Sequence, residues 1–128
     1  MKIRTDFVTN SSSSSFIIKT KDKLDSKYDI ERITKENIID VFNEKFCEYE
    51  SVSYQHEDSE IKETFNFNDE QMLILKLAAI DSSYLDAYMA VKQELDTEGY
   101  IYYVFYDWND TSLYEYLSSK DKTTIYEE

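Results

Sequence analysis

A chain of 128 residues, 41% hydrophobic and carrying 12 Tyr, 7 Phe and one Trp, has the apolar bulk for one packed domain and too much of it for an acidic disordered tail. Its single Cys excludes a disulfide framework, one Cys with one His cannot build the usual zinc site, and one Gly with no Pro removes the glycine-built phosphate cradles. With 27 acidic groups against 14 basic ones the formal charge is −13, which repels rather than steers a nucleic-acid backbone.

At the N-terminus, Ile3 and Phe7-Val8 predict a short first strand and Phe16 to Thr20 a second. Asn10 and Ser11 to Ser15 form the turn between them, so residues 1–20 read as a hairpin. The segment Lys2 to Ile18, KIRTDFVTNSSSSSFII, resembles a short N-terminal signature of otherwise dissimilar, mostly uncharacterised small proteins of Gram-positive bacteria and their phages. It covers about an eighth of the chain and implies a bacterial or phage setting, with no biochemical role attached. Read from its residues alone, the serine run is a solvated linker; the alternatives are an anion gathered by hydroxyls and amides, or modification of the serines. The apolar run Phe16-Ile17-Ile18 is too short for a secretory signal, and the longest apolar stretch, Met72 to Ile80, is broken by Lys76 and too short for a membrane span. These features predict a cytoplasmic protein with Cys47 reduced.

Lys21 to Ile33 is polar and mixed in charge and reads as a connection. Thr34 is the expected N-cap of a helix over residues 34–49. At 100° per residue, Ile38, Ile39, Val41, Phe42, Phe46 and Tyr49 share one broad core-facing side. On the other side Glu36, Asp40, Glu44 and Glu48 follow at i+4, a row of carboxylates stepping about 6 Å along the axis. Like charges at this spacing destabilise a helix by a few tenths of a kcal/mol each, so folding alone does not ask for them. Phosphates along a nucleic-acid strand are a comparable distance apart. The bland alternative is a solvated face on an acidic protein.

Next, Ser51 to His56 and Ile61 to Phe67 predict an antiparallel pair joined by the acidic turn Glu57, Asp58, Ser59, Glu60. Asn68 with Gln71 has capping-box spacing and opens a central helical region over residues 68–98, either one bent helix or two broken at Asp81. Met72 to Ile80 is apolar on almost every side and so should be buried all round. Gly99 is the expected left-handed cap at its end. Residues 100–108, Tyr-Ile-Tyr-Tyr-Val-Phe-Tyr-Asp-Trp, are aromatic and β-branched in both parities, which predicts a strand buried on both faces or one that shows an aromatic face to a partner. A short helix over Thr111 to Ser119, or a hairpin strand in its place, and an edge strand over Thr123 to Tyr126 complete the chain.

No constellation names a reaction. His56 is the only imidazole, no serine has nucleophile-elbow glycines, and Cys47 borders an acidic row that disfavours its thiolate. Glu57 to Glu60 lacks the spaced ligands of a calcium loop. The expectation is a non-enzyme without metal or cofactor.

Charge indicates a partner instead. Residues 1–35 hold eight basic and five acidic groups, a balance of +3, whereas the remainder holds six and 22, a balance of −16. Such a field favours basic proteins, above all those that bind nucleic acid. The sequence therefore predicts an α+β domain, an antiparallel sheet packed on two or three helices, acting as a small acidic inhibitor. It would block the nucleic-acid channel of a bacterial protein by charge mimicry, as some phage anti-defence proteins, including anti-CRISPRs, do. The expected contact residues are Glu36, Asp40, Glu44, Glu48, Glu57, Asp58 and Glu60, with Tyr102, Tyr106 and Trp108 as desolvated anchors. The alternatives are an antitoxin or immunity protein for a basic toxin, and an assembly component that self-associates through the aromatic strand.

Overall fold

The computed structural model describes residues 13–25, 28, 30–47, 60, 62–107 and 111–127. Among them run β1 (Ser13–Thr20), β2 (Ile30–Ile33), α1 (Ile38–Phe46), α2 (Asp69–Ile80), α3 (Ser82–Glu94), β3 (Tyr100–Asp107), α4 (Thr111–Ser118) and β4 (Lys122–Glu127). The four strands form one antiparallel sheet in the order β2-β3-β1-β4, so the fold is α+β. The chain groups into two compact units: residues 1–34 with 93–128, and residues 35–92.

In the first unit the aromatic strand is the template. β3 pairs with β1 from Ser13↔Asp107 to Thr20↔Tyr100, and Ile101 to Val104 are buried in both parities. Phe16, Ile18, Tyr102 and Val104 share a face and pack with Leu24 and with Leu113 and Leu117 of α4. The opposite parity, Ile17, Ile33, Ile101 and Tyr103, is buried as well. Two tyrosine hydroxyls work inside this core: Tyr102 accepts the Leu24 backbone N–H at 2.9 Å, and Tyr103 donates to the Ser15 hydroxyl at 2.9 Å.

That last bond corrects the serine turn. Ser13 to Ser15 belong to β1, because the backbone ladder to β3 is indifferent to their weak strand preference and a buried Tyr103 supplies Ser15 with its partner. The first predicted strand, Ile3 to Val8, lies outside the described residues. The supposed connection also contains a strand, β2, whose Glu31 and Arg32 hid it; as an edge strand only four residues long it tolerates charges at its centre. β4 takes the other edge, as the sequence predicts for Thr123 to Tyr126, and α4 is a helix rather than a hairpin strand.

In the second unit α1 lays Ile38, Val41, Phe42 and Phe46 inward. Phe42 meets Tyr88 edge-on at 5.2 Å and Phe46 meets Tyr84 at 5.0 Å, while α1 also touches α2. The Asn68–Gln71 capping box forms in both directions, at 2.8 and 2.9 Å. The helical region is two helices, because Asp81 is extended and its carboxylate accepts the Ser83 N–H and hydroxyl, capping α3 as α2 stops. α2 is not buried all round: Met72, Leu73 and Leu77 face inward, while Leu75, Ala78 and Ala79 are exposed. α3 ends at Glu94, before Gly99. At φ +121 that glycine instead leads into β3, where a Cβ would meet the Thr20 carbonyl oxygen at 2.9 Å.

Among the described residues, the second half of the predicted middle hairpin is not a strand. Residues 62–65 are helical, Phe67 N–H returns to the Lys62 carbonyl at 3.1 Å, and Asn66 stands at φ 55. Lys and Glu at 62 and 63 favour a helical turn over a strand, and Asn is among the few residues that reverse a chain through the left-handed region at low cost. Ser51 to His56 lie outside the described residues.

Candidate functional site

The acidic row begins from α1. Its apolar face fixes the helix, so Asp40 and Glu44 stand one turn apart on the exposed side, about 6 Å along the axis. The helix is shorter than the expected 34–49. β2 runs through Ile33, and residues 35–37 are used to turn the chain, so the N-cap is Asn37, without a side-chain cap bond, rather than Thr34. Glu36 is exposed but sits in that turn and does not continue the i+4 row; Glu48 lies outside the described residues. The fixed array is thus Asp40 and Glu44, with Glu36 beside it in sequence. Glu44 lies 3.2 Å from the neighbouring Lys45 ammonium, whereas among the described residues Glu36 and Asp40 are in no ion pair. Glu60 is exposed and helical rather than part of a hairpin turn, and Glu57 and Asp58 lie outside the described residues.

Other carboxylates of this unit answer its own groups. Asp69 is bonded to Lys62, which holds its carboxyl below the ordinary value. Glu70 accepts from the Lys92 ammonium and, at 2.8 Å, from the Tyr88 hydroxyl; these bonds, Lys92 first, lower its pKa against the opposing effect of burial. Tyr88 is correspondingly pushed up, first by burial and then by the Glu70 hydrogen bond. Asp81 is lowered by its bonds to Ser83. These groups fasten helix ends, which separates them from the outward-facing acids of α1.

The aromatic anchors need correction. Tyr102 is 4% exposed and holds the Leu24 N–H, so it is a core residue. Both faces of β3 are covered, which leaves its tyrosines no outward side over 101–104. Tyr106 is in the strand, but its side chain, like Trp108, lies outside the described residues. Among the described residues, the large exposed apolar groups are instead Phe65 at 63%, Met89, Phe105 and Leu75. Phe65 was hidden in the sequence because Ile61, Phe65 and Phe67 share a strand parity.

In the sheet unit, Lys19, Lys21 and Lys122 alternate with Glu94, Glu98 and Asp121 around a cleft of about 380 Å³. Lys19 is bonded to Glu94 at 2.9 Å and to Thr97, and Lys122 donates to the Leu117 carbonyl at 3.0 Å, burial lowering its pKa. Three cations beside three anions cancel, so the cleft selects neither charge.

Cys47 is buried at the end of α1, and the other member of the conceivable pair, His56, lies outside the described residues. Among the described residues no group of three His, Cys, Asp or Glu is arranged to hold a metal ion. No described helix is long and apolar enough to cross a membrane. Compared with protein-family models, curated proteins and solved structures, the chain matches none.

Proposed function

We propose that this chain is a small acidic binding protein without catalytic activity, which covers the nucleic-acid-binding surface of a basic bacterial protein by offering carboxylates where that surface expects phosphates. The observation that carries the reading is α1: an apolar face locked by Phe42 and Phe46, and on the reverse Asp40 and Glu44 exposed at helical spacing. The helical unit around them has thirteen acidic and five basic side chains, a balance of −8 in residues 35–92. Carboxylates held by a rigid helix lose little freedom on binding, and a field of one sign speeds encounter with an oppositely charged surface. In a phage setting, the partner is a bacterial defence protein that handles nucleic acid.

The experiment is capture of partners from bacterial lysate on the immobilised chain at low and at high salt, beside the variant Asp40→Asn/Glu44→Gln. The expected partner is basic, is lost at high salt, and binds the variant roughly tenfold more weakly. A partner held equally in both salts, or equally by the variant, overturns the reading.

A further inference from the structure

We infer that Phe65 and Phe67 form the apolar anchor of the partner contact, and that the surface they fit is cationic with an apolar pocket at its centre. The inference rests on the charge reading above and specifies what that contact touches. Phe65 is 63% exposed, more than any other large hydrophobic among the described residues, and its ring stacks on that of Phe67 with centroids 5.6 Å apart and planes at 29°.

The backbone that carries the two rings is fastened. Phe67 N–H donates to the Lys62 carbonyl at 3.1 Å, the Lys62 ammonium is bonded to Asp69, and Asn68 next to Phe67 is locked by the capping box of α2. Asn66 reverses the chain between the rings at φ 55, a conformation Asn adopts more readily than most residues. The helical turn and the reversal after it therefore display an aromatic pair on a fastened backbone, and a ring 63% exposed contributes little to folding by burial. A rigid ring of this kind is what dominates binding where a pocket exists to desolvate it.

Charge selects the occupant. Glu60 and Glu63, both exposed, precede the rings within five residues, and the unit carries −8. A second copy of the chain brings another −13 and is repelled, as are an anionic lipid surface and a polynucleotide. A basic protein is attracted, and an apolar centre within a charged rim is the ordinary anatomy of a specific interface.

The test titrates two synthetic probes of equal length and charge into the chain at low salt: a lysine homopeptide, and a lysine peptide interspersed with leucine. The leucine-bearing peptide is expected to bind roughly tenfold tighter. Phe65→Ala should remove that advantage while leaving the homopeptide affinity and the circular dichroism unchanged, and Phe65→Leu should keep most of it. Equal binding of the two peptides, or an advantage that survives Phe65→Ala, overturns the anchor and leaves the charge reading standing. Failure of both peptides to bind overturns the charge reading and the anchor together.

Discussion

The sheet unit puts the tyrosines at the centre of β3 inside and leaves Phe105 half-exposed at its end, whereas the helical unit leaves a larger share of its apolar side chains in water. In the first, Tyr102 and Tyr103 are buried, and their hydroxyls satisfy a backbone N–H and a serine that would otherwise be orphaned. In the second, Phe42 and Phe46 build the core, yet Phe65, Leu75 and Met89 remain in water beside most of the chain's surplus charge. A tyrosine is as useful inside a small core as at an interface, because its polar tip serves buried backbone. An exposed phenylalanine has no such internal use, and it is the better pointer to a partner.

The strongest way to break this contrast is to empty the sheet core. Phe16 is 2% exposed among Ile18, Tyr102, Val104, Leu113 and Leu117, so Phe16→Ala should cost about 3–5 kcal/mol in urea unfolding, whereas Phe65→Ala should change stability by less than about 0.5 kcal/mol. Next in size is Gly99→Ala. The new Cβ would meet the Thr20 carbonyl oxygen and Lys19 Cε, each at 2.9 Å, on a backbone at φ +121, and the expected loss is about 2 kcal/mol by the same measurement.

Tyr102→Phe separates core from interface directly. It leaves the buried Leu24 N–H without its acceptor, at a cost of about 1–2 kcal/mol, and leaves partner affinity unchanged at equal folded fraction. Reduced affinity with intact stability would return Tyr102 to the interface. In the helical unit, Asn68→Ala removes one half of the capping box and should cost about 1 kcal/mol, read as a lower thermal midpoint.

These residues also show what could be read from the sequence. Asn68 with Gln71, and the aromatic run of β3, are local signals, and both elements formed where they were expected. Ser13 to Ser15 and β2 owe their extended form to pairing with β3, a long-range cause that no window of the sequence contains. Because β2 runs to Ile33 and residues 35–37 turn the chain, α1 starts later than the local pattern indicates and Glu36 falls outside the acidic row. Asp40 and Glu44 were legible because the apolar face opposite them was. Burial of Tyr102 was not, since β3 is apolar in both parities and alternation could not say which faces would be covered. A strand over Ile61 to Phe67 would place Phe65 on one face with its apolar neighbours, and the helical turn at 62–65 exposes it instead.

The smallest effect tests whether the acids of α2 are fasteners and not part of the binding array. Glu70 is held below its ordinary value of 4.5 by the bond from Lys92 and then by that from Tyr88. A carboxylate whose folded pKa is depressed stabilises fully above its unfolded pKa, and that contribution fades as the pH falls through the folded value. Stability should therefore decline on acidification below about pH 4.5, and Glu70→Gln should lose part of that dependence, by under about 1 kcal/mol because the pair is partly in water. Tyr88→Phe removes only the second bond and should retain part of it. Urea midpoints compared at neutral and acid pH measure the difference. If Glu70→Gln keeps the full acid slope, the Lys92 contact contributes nothing to stability, and Glu70 joins Asp40 among the carboxylates available to a partner.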